Sequence, residues 1–547
     1  MLRPLLAVLL LLSLAFPLFL RGPEISAKTL REPVYTAPPL LNYDDLVELG
    51  TKDTIEPALK AKLDELVHTP FISNEFANTP ILPVSYKLGK VVRVAEWNIE
   101  RGLQLDDIKL ALSSPDEYLK KVQQSNTDKY KPGSDEYTQL KADLSIIHNA
   151  DILVLNEVDL GVKRTGYRNV ARELAEALHM NYVYGVEFLE VDPINLGTET
   201  FDEADAKTRE MMREKITVDR DKFRGLHGSA ILSRFPILSA TVHPFQHQGY
   251  DWYTKEKQKV SIAEKGRREA ADKIFLEKIE REIRRGGRMA IIADIAIPEL
   301  PEGKVTIVAP HLENHAKPRQ RQQQLEELLG LISGIHNPVI IAGDMNTSGS
   351  DQTPTSIKKL LFNRIGNDQF WVTQAIKYIS PLGLSLDVGL NMSKVLKNQN
   401  DPTSRNIFLI GPNPEQKFFS ILKNYSFKDG GIFDFRGDSD CTINGTEGTL
   451  ANSNERATKG FASTFEMERR YGPIGGYKLD WFFVKSYLKP GDDGKGSYLF
   501  APHFPRTLRA LNYSLPGRLS DHNPITVDLP LYDPAEQRPL SATTNDR

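Results

Sequence analysis

The chain has 547 residues, 40% hydrophobic and 26% charged, with a formal net charge of -3. That length admits one large domain with insertions or two to three domains, and the composition is ordinary for a soluble globular protein. The near-neutral balance excludes a global basic field, so nucleic-acid contact would need a local patch, and a single cysteine, Cys441, excludes an intramolecular disulfide or a cysteine-built zinc site.

In chain order, "MLRPLLAVLLLLSLAFPLFLRG" sets Arg3 before a leucine-rich run that Pro17 interrupts and Arg21 closes, short for a membrane span. Small residues in "ISAK" at 25–28 suit a cleavage site. Residues 1–27 therefore read as an export signal, with an uncleaved N-terminal anchor as the alternative. Either reading makes the protein exported, periplasmic or extracellular, and only this segment would associate with a membrane. Residues 28–88 are Pro-rich and mixed, an extension to a domain over 89–531; 532–547 read as a tail.

From Val91 onward, short apolar runs end on polar residues suited to chemistry. "VVRVAEWNIE" ends on Asn98 and Glu100, and "ADILVLNEVD" on Asn156, Glu157 and Asp159. "VTIVAPHLEN" ends on His311, "PVIIAGDMN" on Asp344 and Asn346, "KLDWFFV" opens with Asp480, and Asp521-His522 precede the alternating strand Ile525, Val527, Leu529. Between them lie helical patterns: Val170, Leu174, Ala177 and Leu178; Phe275, Ile279 and Ile283, with a stop at Gly286-Gly287; and Leu325, Leu328, Leu329 and Ile332. The alternation predicts a layered α/β domain with a site on one rim. Segments near 191–225, 245–290 and 350–475 break the rhythm as insertions.

Each strand-end residue has a bland reading as a turn, a cap or a buried histidine, and "GDMN" reads alone as a glycine turn. Their recurrence argues otherwise. Carboxylates and an amide oxygen are hard ligands suited to Mg²⁺ or Mn²⁺, and no HExxH spacing suggests zinc. Asp480 is placed to orient His522 and stabilise its imidazolium while His522 takes a proton from water.

These stretches, with "HGSAILSRFPI" and "LSDHNPITVDL", resemble the endonuclease/exonuclease/phosphatase superfamily from about Val91 to Leu529. "DLGVKRTGYRNVARELAEAL" followed by "YVYGVEF" is similar to a bacterial branch of it. The resemblance implies a four-layer α/β sandwich, two mainly antiparallel sheets face to face between helices, and metal-dependent hydrolysis of a phosphate ester. It implies Glu157 as principal metal ligand with Asn98 and Asp521 beside it. His522, oriented by Asp480, would be general base or phosphate-polarising group, Asp344 would orient or deprotonate water, and Asn346 would hold the phosphate. His311 would donate to a phosphate oxygen or the leaving group, with Glu187 as its carboxylate partner. Where many members carry an asparagine, this chain has Ser229, with His227 nearby.

The substrate class is open among nucleic acid, phospholipid, and sugar or inositol phosphate. "EREIRRGGR" and "AKPRQRQ" are basic clusters for the first, against a solvated helix end. Tyr250, Trp252 and Tyr253 suit the second if exposed, and Arg436, Asn454, Arg456 and Lys459 loosely suit the third. Arg164, Arg436 and His227 are candidate substrate contacts, and no obligate protein partner is indicated. The rival to an enzyme is an inactive binding protein that keeps the fold.

Overall fold

In a computed structural model of the chain, the described residues are 36–76, 80–85, 88–198, 217–257, 282–300, 302–347, 401–403, 413–437, 449–457, 460–466, 476–485 and 503–531. The N-terminal apolar segment, the tail from 532, Cys441, Lys459, most of the 350–475 insertion and parts of the other two lie outside them.

Two sheets face each other. The first runs in the order β1 (Phe71–Ser73), β5 (Asn181–Glu190), β6 (Leu226–Ser233), β4 (Ile152–Leu160), β3 (Gly89–Arg101), β16 (Ile525–Pro530), β15 (His503–Thr507). To it are added β2 (Val84–Ser85) on β3 and β8 (Arg284–Gly286) on β5. The second runs β14 (Asp480–Lys485), β11 (Val339–Asp344), β10 (Lys304–Pro310), β9 (Met289–Ala296), β7 (Ile237–Pro244). A hairpin of β12 (Phe465–Glu466) and β13 (Gly476–Tyr477) stands beside them. Pairing is antiparallel except for β3 with β4 and β10 with β11.

Side-chain alternation along each strand builds the layers. One parity, including Val92, Val94, Ile152, Val154 and Ile231 of the first sheet and Ile291, Ile307, Ile340, Ala342 and Phe482 of the second, forms the core between the sheets. The opposite parity of the first sheet, with Ala95, Trp97, Leu153 and Leu155, packs on helices α1 (Tyr43–Thr51), α2 (Pro57–His68), α3 (Leu105–Ser113), α4 (Pro115–Ser125), α5 (Asp135–His148) and α6 (Val170–Leu178). Beyond the short α7 (Trp252–Lys257), the outer face of the second sheet, with Val339, Ile341, Trp481 and Phe483, packs on α8 (Pro318–Ile332) and α9 (Gln416–Asn424). A last short helix, α10 (Arg509–Asn512), lies on the first sheet's side. Helix, sheet, sheet, helix is the predicted four-layer sandwich.

Three local expectations change. On α6 the buried stripe is Val170, Ala171, Leu174 and Ala175 rather than one that includes Ala177. The helix expected to stop at Gly286-Gly287 lies largely outside the described residues, but its end is β8: Phe188, Leu189 and Glu190 pair with Gly286, Arg285 and Arg284, because an open edge of β5 satisfies backbone groups there. Gly343 of "GDMN" sits inside β11, not in a turn; a Cβ on it would stand 2.1 Å from the Pro310 carbonyl oxygen, so only glycine allows β10 this close.

The aromatic run also packs inward. Trp252 and Tyr253 are buried, and His315 lies between Tyr250 and Trp252, ring centroids 4.7 and 4.4 Å away. Neither ring nitrogen of His315 has a partner among the described residues. Burial pushes its pKa down to about 4, against the opposing pull of Glu313. Its folded pKa lies below the unfolded value of about 6.5, so protons bind preferentially to the unfolded chain. This contribution to stability is complete above pH 6.5 and falls as pH drops toward 4, by at most about 3 kcal/mol. Urea titrations of His315→Phe should show a shallower acid slope than the parent over that window; parallel slopes overturn the assignment.

Candidate functional site

At one end of the sandwich the inter-sheet parity turns from apolar to polar. Glu96 and Asn98 follow Val94 on β3, Asn156 follows Val154 on β4, and Ser229 precedes Ile231 on β6. Across from them His311 follows Ala309, Asp344 follows Ala342, and Asp480 precedes Phe482. Register aligns them: Asn98 sits opposite Asn156, Asp344 opposite Asp480, and Glu96 opposite Ile525. The site is the polar continuation of the core between the sheets.

The turn before β16 delivers Asp521 and His522. Ser520 Oγ donates to the Asn98 carbonyl at 2.6 Å and accepts from the His522 N–H at 3.1 Å, while Trp97 Nε1 donates to the His522 carbonyl at 2.9 Å. The His522 ring is thereby set with Nδ1 2.8 and 3.0 Å from the two Asp480 oxygens. Thr464 Oγ1 fixes Asp480 in turn, accepting its N–H at 3.1 Å.

Three groups converge on Asp344 Oδ2: Asn98 Nδ2 at 3.3 Å, His311 Nε2 at 3.7 Å and His522 Nε2 at 3.8 Å. Behind it, the Asp344 N–H donates to Asn156 Oδ1 at 2.8 Å, and the Asn346 N–H donates to Asp344 Oδ1 at 2.9 Å. Asn346 Nδ2 donates to the Leu312 carbonyl at 2.9 Å. Burial alone would lower the pKa of His522; Asp480, Asp344 and Asp521 outweigh it and hold the ring charged well above the ordinary histidine range. Burial and the Asp480 charge raise Asp344, while Asp480, despite burial, is lowered by His522.

Beside this center lies a carboxylate group. Burial, then Asp521 and Glu157, push Glu100 up to about 7, against Arg518 and Arg101. Glu100, Asp521 and Glu157, next to the amide of Asn98, form a hard-oxygen donor set that fits a divalent cation such as Mg²⁺ or Mn²⁺. Glu157 itself accepts no hydrogen bond among the described residues, so its carboxylate is open to such an ion. Asp344, Asp480 and His522 also bring ligand atoms within 4.8 Å of one another. There, however, Nδ1 of His522 is already committed to Asp480, which leaves Nε2 as the ring nitrogen that faces Asp344. Backbone strain concentrates here too: Glu100, Arg101, Glu157 and Asn346 all have φ between 47° and 67°.

A second layer holds His311. Glu187 accepts from Ser229 Oγ at 2.7 Å and from Arg288 Nη1 at 2.8 Å, and its Oε2 lies 3.2 Å from His311 Nδ1. Ser229 Oγ also accepts from Asn156 Nδ2 at 2.9 Å. The serine that stands in place of asparagine is fully buried and links two site residues rather than facing substrate.

The three candidate substrate contacts are engaged with acidic neighbors, and His227 among them lies close enough to Glu157 to act on its carboxyl. His227 is buried, its Nδ1 2.9 Å from Asp159. Arg164 is committed to Asp159 at 2.7 and 2.8 Å and to Glu190 at 3.1 Å. Arg436 binds its own neighbor Asp434, whose N–H reaches Val484, near the end of β14 remote from Asp480. Arg164 and Arg436 are thus ion-paired, and His227 is held against Asp159. In the basic cluster near 284, Arg284 and Arg288 are likewise buried.

The sequence reading gave no role to Glu96 or Lys478. Glu96 is fully buried with both carboxylate oxygens unpartnered among the described residues, and burial, then Asp480 and Asp344, raise it well above the carboxylate range. Lys478, also buried, is pushed down to about 8 by burial. The signal for Glu96 was its parity with Val94 and Asn98.

The model of the Endonuclease/Exonuclease/phosphatase family matches residues 95–522. Among solved structures, an endonuclease/exonuclease/phosphatase from Beutenbergia cavernae is 15% identical over 81% of this chain and 72% of its own, with a TM-score of 0.32. A family protein from Bacteroides thetaiotaomicron is 12% identical over 80% and 98%, TM-score 0.33, and truncated TDP2 of Caenorhabditis elegans 13% over 80% and 97%, TM-score 0.31. Values this low say nothing of substrate. No curated protein matches the chain.

Proposed function

The chain belongs to the endonuclease/exonuclease/phosphatase family, and from that premise we propose that its rim site is a divalent-metal-dependent phosphoesterase center. The observation that carries the reading is the convergence of His522, His311 and Asn98 on Asp344, beside the carboxylates of Glu157, Glu100 and Asp521.

Glu157, Asn98 and Asp521 would hold Mg²⁺ or Mn²⁺, which when bound neutralises charge on the phosphate oxygens. The other steps belong to side chains. Asp480 keeps His522 oriented and charged, so Nε2–H offers a donor to a nonbridging oxygen. His311 Nε2 faces the same point from the other sheet. Asp344 Oδ2, between the two imidazoles, takes the proton of the attacking water. The new O–P bond forms as the ester P–O bond breaks, and the departing oxygen takes its proton from His311 Nε2, which regains one from Asp344, 3.7 Å away, the proton that came from the water. Asn346 stands at the phosphate's edge. An inactive binding protein is disfavored because every slot of this machinery is filled.

Phosphate ester is the class proposed for the substrate. Burial of Trp252 and of Arg284 weakens the case for lipid and for nucleic acid, while Lys317 and Arg319 of the second basic cluster stay exposed. Export, by a cleaved or retained segment 1–27, belongs to the proposal and is tested by cell fractionation.

The test is hydrolysis of bis-p-nitrophenyl phosphate, plasmid DNA, RNA, sphingomyelin, phosphatidylinositol and inositol phosphates with Mg²⁺, Mn²⁺ or EDTA. Cleavage that EDTA abolishes is expected for at least one substrate. Silence throughout, with no metal-induced rise in melting temperature, overturns the reading in favor of a binding protein.

A further inference from the structure

Among the described residues Arg101 is the cation within ion-pair distance of the proposed metal ligand Glu157, and nothing about a metal site calls for one. Its Nε lies 3.9 Å from Glu157 Oε2. Its Nη2 donates to Glu282, and Glu282 is held in turn by Arg284 Nη2 at 2.6 Å. From there the lattice runs through Glu190, 2.9 Å from Arg284 Nε and 3.1 Å from Arg164, to Asp159. The guanidinium is thus anchored from behind at one nitrogen, while Nε and Nη1 donate no hydrogen bond among the described residues. The side chain is 28% exposed. Its backbone is held at φ 67°, a left-handed conformation that arginine adopts only when its surroundings impose it. An anchored arginine with two donors free beside an open carboxylate is built to meet an anion.

Resting on the function proposed above, we infer that the site takes a single divalent ion and that Arg101 supplies the second positive charge, donating from Nε and Nη1 to a nonbridging phosphate oxygen. Glu157 then serves two cations at once. Before substrate arrives, Arg101 and the ion compete for its field, and once phosphate binds they share the negative charge between them.

Competition gives a sign that a merely structural arginine would not. Removing a unit charge within roughly 6 Å of a dication in a water-like dielectric should tighten the ion by about tenfold. Mn²⁺ binding to the full-length, metal-free protein, followed by electron paramagnetic resonance, should count one ion, bound about tenfold tighter in Arg101→Gln. Inorganic phosphate should bind the Mn²⁺-loaded variant at least tenfold more weakly than the parent. Arg101→Lys, which keeps the charge and loses the fork, should leave the Mn²⁺ affinity within about twofold while still weakening phosphate. Two ions in the parent, or Mn²⁺ bound equally or less tightly by Arg101→Gln, overturns the inference and leaves the proposed function standing. Should Arg101→Gln fail to fold, Arg101→Lys decides: unchanged phosphate affinity, or tighter Mn²⁺, overturns it. No Mn²⁺ binding by the parent brings down both.

Discussion

His522→Ala is expected to lower kcat by about 10³-fold or more, because one ring provides both the donor to the phosphate and the charge that balances the acids around it. The ring is positioned from four sides: Asp480 at Nδ1, Ser520 at the backbone N–H, Trp97 at the carbonyl, and Phe465 packed edge-on with centroids 5.1 Å apart. No water that fills the vacated space can reproduce that arrangement. The substitution also leaves Asp480 buried near Asp344 and Glu96 without its cation, so part of the folding stability goes with it. Kinetics must therefore be read beside a melting curve and a Mn²⁺ titration. Mn²⁺ affinity should not fall, since Glu157 and Asn98 are untouched and a nearby positive charge is removed. Asp480→Asn removes the partner and should cost about 10²-fold or more. Since the pair acts as a unit, the double variant should be no slower than His522→Ala alone. Additive losses, or wild-type turnover in either single variant, would remove the pair from the mechanism.

The site was legible because strand periodicity and chemistry coincide in it. A run such as Val92, Val94, Glu96, Asn98 shows in sequence that the residue ending the strand shares a face with its apolar core, and the same holds for Ile340, Ala342, Asp344. The two-sheet arrangement was not available from that pattern, since continuous apolar strands alternating with helices suit a doubly wound sheet equally well. It came from the resemblance of ordered motifs. What stayed hidden depends on contacts distant in sequence. Arg288 reaches Glu187 across 101 positions and Arg101 reaches Glu282 across 181, so no local pattern announces either pairing, or that Arg288 is buried rather than part of a surface patch. Likewise nothing in the sequence around Ser229 shows that its hydroxyl sits between Asn156 and Glu187. Positive φ at Glu157 and Asn346 leaves no mark in composition either, because neither is glycine.

Glu157→Gln should weaken divalent-ion binding by about 10²-fold or more and abolish activity at low Mg²⁺, with partial recovery at high Mn²⁺. Shape is nearly conserved, so the effect is one of charge. Burial tends to raise the Glu157 carboxyl, yet Arg101, His227, His311 and Arg288 outweigh it and hold it down at about 2. That balance works in both directions. A carboxylate so surrounded is ionised throughout the working pH range and ready for a cation, but its removal exposes an approaching ion to the same four basic groups with only Glu100 and Asp521 to offset them. The loss should therefore exceed that of an exposed ligand, and raised salt should recover part of it by screening the excess positive charge. A melting-temperature titration separates this from misfolding: the metal-free variant should melt close to the metal-free parent, while the stabilisation that the parent gains from Mn²⁺ disappears. If Glu157→Gln still gained that stabilisation at the parent's Mn²⁺ concentration, the ion would have to sit elsewhere. The group left to hold it would be Asp344, Asp480 and His522, and the proton machinery assigned to that trio would have to be abandoned with it.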